Sequence, residues 1–214
     1  SGHAPRLLAV VKALGFEPKN LKIVLYQYVR LKREEEIVKM SKRAGNFVTA
    51  REVLDEVGKN AFRFFLLTPR VQTHMDFDLE LAKKKAQENP VFYVQYAHTR
   101  ISSIFSKTQN AKLKSQNYED ADLSLLKTDE EILLIRHLIT FPYLVEETAA
   151  NLEVNSLTNY ALELANLFHR FYEVNQVISK DEKLTNSRLA LLKATQITLK
   201  NTLDLLGVSA PEKM

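Results

Sequence analysis

Apolar side chains recur at helical spacing along nearly the whole stretch from Pro90 to Met214. This pattern predicts four long amphipathic helices, over about 90–107, 129–150 with an interruption near Pro142, 156–178 and 186–206. In the third helix one stripe is predicted to form the core: Leu157, Tyr160, Ala161, Leu164, Leu167, Phe168 and Phe171. Long helices joined by short polar breaks are typical of a helical bundle.

The segment before Pro90 has a more mixed pattern. Ile23–Leu31 is rich in β-branched and aromatic residues, which predicts a strand. Short helices are predicted over 4–14, 50–57, 60–67 and 79–88. The chain is therefore predicted to be mainly α, with a small α/β unit over 1–88 and a helical bundle over 89–214.

Several polar residues are spaced as helix caps. Thr49 with Glu52, and Thr128 with Glu131, form capping-box pairs at the starts of predicted helices. Asp78 precedes another helix start. Gly207 follows the last helix, where a residue of left-handed conformation commonly ends a helix.

Composition narrows the class of protein. The 214 residues include no cysteine, which excludes disulfides and thiolate–zinc sites, and only five glycines, which leaves little room for a dinucleotide-binding loop. No apolar run reaches the roughly 20 residues that span a bilayer, so we expect a soluble, cytoplasmic protein with no membrane partner. The net charge of +4 favours an anionic partner such as nucleic acid.

The run Lys39–Asn46 follows the predicted strand and a charged turn and is predicted to be an exposed loop. Lys39 and Lys42 lie three residues apart around Ser41, and Gly45 gives the backbone added freedom. Mobile lysine ammonium groups suit a polyphosphate whose charge grows in a transition state. The alternative is a basic loop that only contacts solvent.

The helix after Pro90 carries a second candidate surface. One face groups Tyr93, Tyr96, Arg100 and Lys107, away from the apolar stripe of Val91, Val94, Ala97, Ile101 and Ile104. Exposed aromatic rings can stack on unpaired bases while cations meet phosphates, as in the binding of single-stranded RNA. Alternatively, both tyrosines pack against a neighbouring helix with only their hydroxyls in water.

The histidines give little support for a metal site, because no two are spaced four residues apart as helical metal ligands often are. We therefore expect no tightly bound metal. His98 and His169 could contact RNA or be buried structural histidines. The run Glu34–Glu36 is interpreted as a solvated turn rather than an acid/base pair.

Several motifs together resemble one family. Lys39-Met40-Ser41-Lys42-Arg43 resembles the KMSKS signature of class I aminoacyl-tRNA synthetases. Its continuation to Thr49 and the segment 76–79 look like arginyl-tRNA synthetases. The stretch Glu88–Arg100 looks like a segment distinctive of that subfamily, and the tail 205–214 is similar to its C-terminus.

The resemblance implies the roles of both surfaces. In the loop, Lys39, Met40, Ser41, Lys42 and Arg43 would bind ATP, with Mg²⁺ as counterion of its phosphates, and Lys39 and Lys42 would stabilise the pyrophosphate leaving group. The bundle would be a DALR-type anticodon-binding domain for arginine tRNA. Its implied contact residues are Tyr93, Tyr96, Arg100, Lys107, His169, Tyr172 and Met214.

The resemblance also implies an ATP-dependent arginine–tRNA ligase as the parent, which we expect to be monomeric. Two departures stand out: Arg43 replaces the final serine of the signature, and no HIGH-type sequence occurs. We therefore expect the catalytic site to be incomplete in this chain and the chain alone to be inactive. The alternatives are a class I synthetase for another amino acid, or a helical tRNA-binding or protein-interaction module with no enzyme parent.

Overall fold

The computed structural model describes residues 2–38, 47–110 and 121–214, with side chains given for all of these except residues 109 and 110. The predicted phosphate loop, 39–46, lies outside the described residues. None of the helices within them is long and apolar enough to cross a membrane.

The first part of the chain combines short helices with a small sheet. The helices are α1 (Ala4–Ala13), α2 (Ala50–Val57), α3 (Lys59–Leu67) and α4 (Leu79–Lys83). The strands are β1 (Val29–Arg33), β2 (Glu36–Ile37) and β3 (Met75–Asp78). β1 is the central strand, antiparallel to β2 and parallel to β3. Helices α2 and α3 lie between β1 and β3 in the chain.

The second part is a bundle of four long helices: α5 (Pro90–Asn110), α6 (Asp129–Asn151), α7 (Asn155–Val174) and α8 (Glu182–Leu206). α7 packs against the other three. The predicted stripe on α7 from Leu157 to Phe171 is buried in full. The mainly helical fold with a small α/β unit is therefore confirmed.

Several predicted bounds differ from the structure; α7 ends at Val174 rather than 178, and α8 begins at Glu182 rather than 186. The strand begins at Val29 rather than Ile23, because its pairing with β3 begins there, with Val29 opposite Met75. It ends at Arg33, which pairs with Glu36 of β2. The prediction had placed no strand at 75–78. α4 ends at Lys83 rather than residue 88, since the backbone becomes extended at Lys84.

Helix α6 runs through Pro142, so the predicted interruption there is wrong. A proline inside a helix removes one backbone hydrogen bond and can bend the helix without ending it. Pro142 is exposed, so water can replace the missing backbone donor.

The predicted caps are confirmed. Thr49 Oγ1 accepts a hydrogen bond from the Glu52 amide at 3.1 Å, and Thr128 Oγ1 accepts one from the Glu131 amide at 3.3 Å. Gly207 ends α8 with φ of +67°, and a side chain there would collide with Arg63, because a Cβ would lie 2.6 Å from its Nε atom. Glu34 and Glu35, both at positive φ, form the predicted turn, here between β1 and β2.

The tail after α8 joins the two parts of the chain. Ser209 exchanges hydrogen bonds with the Asn60 side chain of α3, at 2.7 and 3.0 Å, and its carbonyl accepts one from Gln95 Nε2 of α5 at 2.8 Å. His98 Nδ1 lies 2.9 Å from the Pro211 carbonyl oxygen. The side chain of His98 is therefore buried and structural, the second of the two interpretations offered for it.

Candidate nucleic-acid interface

The predicted aromatic strip on α5 lies along the groove between α5 and α7. Tyr93 and Tyr96 are half-buried, and both contact His169 of α7, with ring centroids 4.9 and 5.8 Å apart. The geometry lies between the two interpretations from sequence: each ring packs on a neighbouring helix, and each keeps an exposed part. A base could stack only on that exposed part.

Arg100 connects the strip to α7. Its guanidinium carbon lies 4.3 Å from the centroid of the Tyr172 ring and 5.9 Å from that of Tyr96. Contacts of this kind hold a planar guanidinium over aromatic faces by attraction to their negative potential. Arg100 therefore has a defined position between two rings, from which its donors can meet a phosphate or a base edge.

His169 is 8% exposed and lies among aromatic rings. Burial, helped by the positive charge of Arg100, lowers the pKa of His169 to about 4, so the imidazole is neutral at pH 7. Its Nε2 atom has no hydrogen-bond partner within the described part of the chain. His169 thus packs against the rings of Tyr93 and Tyr96 from the buried side and adds no positive charge to the surface.

The charges around the strip are unequal on its two sides. Burial raises the pKa of Tyr93, and the carboxylates of Glu173 and Glu163 raise it further. Those carboxylates would repel phosphates near Tyr93. A bound RNA backbone is therefore favoured on the side of Arg100 and Lys107.

Lys107 is exposed and lines a cavity of about 320 Å³ next to the strip, together with Tyr172 and the segment 175–178. Arg188 of α8 fixes the rim of this cavity. Its guanidinium donates to the Gln176 carbonyl oxygen at 2.8 Å and to Asn175 Oδ1 at 3.0 Å. Sequence reasoning missed Arg188, because a single arginine on an amphipathic helix gives no signal.

Arg188 is held in turn by a buried ion pair. Its Nε atom lies 2.7 Å from Glu131 Oε1, with side-chain exposures of 10% and 1%. The other Glu131 carboxylate oxygen accepts from the Lys127 and Thr128 amides, at 2.7 and 2.9 Å. Burial opposes ionisation of Glu131, yet these hydrogen bonds and Arg188 bring its pKa below the usual value.

Met214 lies apart from the Arg100 cluster. It is 55% exposed and lines a groove with Phe92 and Gln95, at the start of α5. Phe92 stacks on Tyr96 with centroids 6.4 Å apart and planes at 4°, so this groove adjoins the strip. The structure thus brings together Tyr93, Tyr96, Arg100, His169 and Tyr172 and places Lys107 beside them. Met214 lies in the adjoining groove that Phe92 also lines.

The other candidate surface, Lys39, Met40, Ser41, Lys42 and Arg43, lies outside the described residues. Next to its C-terminal end, Val48 and Thr49 line an open, mainly apolar cavity of about 880 Å³. Strand residues Val29, Leu31 and Phe77 form part of its wall. Tyr26 also lines this cavity and is 81% exposed.

The fold and the strip define a class: an α-helical bundle that presents half-buried tyrosines and an arginine along a groove between two helices. Comparison with protein families identifies the family within that class. The chain belongs to the DALR anticodon binding domain family, whose model matches residues 94–214.

The chain is also similar to curated relatives. It is 46% identical over 214 residues to an arginine–tRNA ligase of Desulforudis audaxviator and 47% identical over 213 residues to one of Dehalococcoides mccartyi. Each match covers 100% of this chain and 38% of the relative. The chain therefore spans well under half the length of these relatives.

The chain is also similar to solved structures of arginyl-tRNA synthetases. A Campylobacter jejuni protein assigned as an arginyl-tRNA synthetase has a TM-score of 0.86 and 31% identity, over 100% of this chain and 45% of that one. The arginyl-tRNA synthetase of Thermus thermophilus has a TM-score of 0.62 and 30% identity, over 81% of this chain and 29% of that one.

Proposed function

We propose that this chain is part of an arginine–tRNA ligase and that its bundle binds the anticodon loop of arginine tRNA. The observation that carries the proposal is the cluster of Tyr93, Tyr96, Arg100 and Tyr172, supported by buried His169. Aromatic faces with an arginine between them suit unpaired bases joined by phosphates. The family match and the relatives' activity support the same assignment.

In this proposal each surface has its own task. Residues 89–214 bind the tRNA, and residues 1–88 complete the catalytic domain. Tyr93, Tyr96 and Tyr172 offer ring faces to bases, while Arg100 and Lys107 contact phosphates. His169 holds the tyrosine rings, and Met214 extends the surface past Phe92. The parent protein attaches arginine to tRNA in the cytoplasm, as a monomer.

The loop 39–46 supplies the contacts to ATP in this proposal. Lys39, Met40, Ser41, Lys42 and Arg43 bind ATP, and Lys39 and Lys42 stabilise the charge that develops on pyrophosphate. Mg²⁺ enters as the counterion of the phosphates. The open apolar cavity beside Thr49 is the surface against which the rest of the catalytic domain would pack.

Binding of three tRNAs to the 214-residue chain tests the proposal. The RNAs are arginine tRNA, the same tRNA with altered anticodon-loop bases, and the same tRNA with an altered acceptor end. We expect the loop alteration to weaken binding roughly 10-fold or more, since lost base contacts cost about 1–3 kcal/mol each. The acceptor-end change should have little effect. Equal affinity for all three RNAs would contradict the proposal.

A further inference from the structure

We propose that the groove between the α2–α3 junction and the start of α5 is a second RNA site, which binds the phosphodiester backbone through Lys59, Lys84 and Lys85. We define this basic groove by those three lysines together with Phe92, Gln95 and Met214. It has a volume of about 590 Å³. The inference rests on the proposed function and adds three lysines that lie outside both the family match, residues 94–214, and the aromatic strip.

The charges of the basic groove are unbalanced. The positive charge of Lys83 is balanced by two carboxylates, because its Nζ atom lies 2.7 Å from Glu80 and 3.1 Å from Glu56. Lys84 and Lys85 are exposed and form no ion pair with any residue that the structure describes, and the same holds for Lys59. Glu56 also lines the groove, but it is paired with Lys83 and Arg33. The groove therefore has a net positive charge, which attracts a polyanion.

Two of the three lysines, Lys84 and Lys85, sit on a backbone segment that is held in place. Lys84 and Lys85 follow the end of α4, and the side chain of Asn89 holds this segment. Asn89 is 3% exposed, and its Nδ2 donates to the carbonyl oxygens of Lys84 at 2.8 Å and Ala82 at 3.0 Å. Its Oδ1 accepts from the Val91 amide at 3.2 Å in the first turn of α5. Because Asn89 already holds the backbone, binding does not have to order it and costs less entropy.

The position of the basic groove favours RNA over an acidic peptide. Phe92 lines the groove and stacks on Tyr96, so the groove continues directly into the aromatic strip. From Phe92 to Lys107 the helix extends about 22 Å at roughly 1.5 Å per residue. One RNA strand can therefore place phosphates in the groove and bases on the strip.

The test compares the double variant Lys84→Ala/Lys85→Ala with a charge-matched control, Lys127→Ala/Arg136→Ala. Both control residues are exposed, and they lie just before and on α6, which packs on α7 and α8. Arginine-tRNA affinity of the 214-residue chain is measured between 0.05 and 0.5 M salt. Loss of two phosphate contacts should lower the slope of log K against log salt by about 1.5, which is a roughly 30-fold loss at 0.1 M salt. Lys84→Arg/Lys85→Arg should retain the wild-type slope.

The loss should be equal for tRNAs with native and altered anticodon loops, because phosphates carry no base identity. An unchanged slope, or an equal change in the control, would overturn the site. Displacement of tRNA by polyglutamate from the wild type but not from the double variant would also overturn it, in favour of an acidic peptide. If the wild type bound tRNA without regard to the anticodon loop, the proposed function would fail instead.

Discussion

The guanidinium of Arg100 on α5 lies 4.3 Å from the ring centroid of Tyr172 on α7 and so bridges the two helices at the proposed anticodon surface. Replacing Arg100 with alanine should reduce the salt slope of tRNA binding by about one unit for every RNA, as expected for one phosphate contact. Arg100→Lys should keep the slope but lower the affinity, since lysine lacks the planar face that rests on the ring. Filter binding at several salt concentrations measures both. An unchanged slope in Arg100→Ala would contradict the phosphate contact.

Tyr93 and Tyr96 make a useful comparison, because both contact His169 but Tyr93 also packs against the hydrophobic core. Tyr96→Ala should weaken tRNA binding by about 1–3 kcal/mol, the usual loss for one stacked base, with little change in thermal melting. Tyr93→Ala should also destabilise the bundle, by about 2 kcal/mol, through loss of partly buried apolar area. Tyr96→Phe, the control, keeps the ring. Loss of stability without loss of affinity in Tyr96→Ala would return this ring to a structural role.

His169 should make the stability of the bundle depend on pH. Its pKa is lowered to about 4 in the fold, whereas an unfolded histidine titrates near 6.5. The unfolded state therefore binds a proton first as pH falls, so this stabilisation is present in full above about pH 6.5 and decreases towards pH 4. Between pH 7 and pH 5 the loss should be about 2 kcal/mol. Urea unfolding of wild type and His169→Gln isolates this contribution, and parallel pH profiles for the two proteins would disprove it.

The ion pair of Arg188 with Glu131 should matter far more to stability than the exposed pair of Lys200 with Asp204. Arg188→Met leaves a buried carboxylate without its partner, which should cost about 3–5 kcal/mol. Lys200→Met, the control, should cost under about 1 kcal/mol. Denaturant unfolding compares the two. Similar losses would mean that Glu131 is already stabilised by the amides of Lys127 and Thr128 alone.

In a full-length protein containing this chain, Lys42→Ala should lower the rate of adenylate formation by roughly 100-fold, because one preorganised electrostatic contact contributes about 3 kcal/mol in the transition state. The Michaelis constant for arginine should change much less, since the charge acts mainly in the transition state. Lys39→Ala should act in the same direction. Arg43→Ser, which restores the usual last residue of the signature, should remain active. ATP–pyrophosphate exchange measures all of these, and full activity of Lys42→Ala would refute the phosphate-loop assignment.

The sequence alone determined the features that depend on local spacing. Four long helices, the buried stripe of α7 and the caps at Thr49, Thr128 and Gly207 follow from patterns within a few turns of chain. The face containing Tyr93, Tyr96 and Arg100 was also predictable, because helical periodicity fixes which side chains share a side. The family resemblance was confirmed by the match to residues 94–214.

Only the tertiary structure decided what those residues touch. The strand at Met75–Asp78 exists because β1 lies beside it, and α6 continues through exposed Pro142. The half-burial of the tyrosines depends on His169, more than 70 positions away in the chain. The basic groove likewise combines α2–α3, the segment after α4, and the tail. Periodicity reports the direction of a side chain along its own helix, whereas burial, charge balance and neighbouring groups arise from contacts between distant segments, which no local pattern encodes.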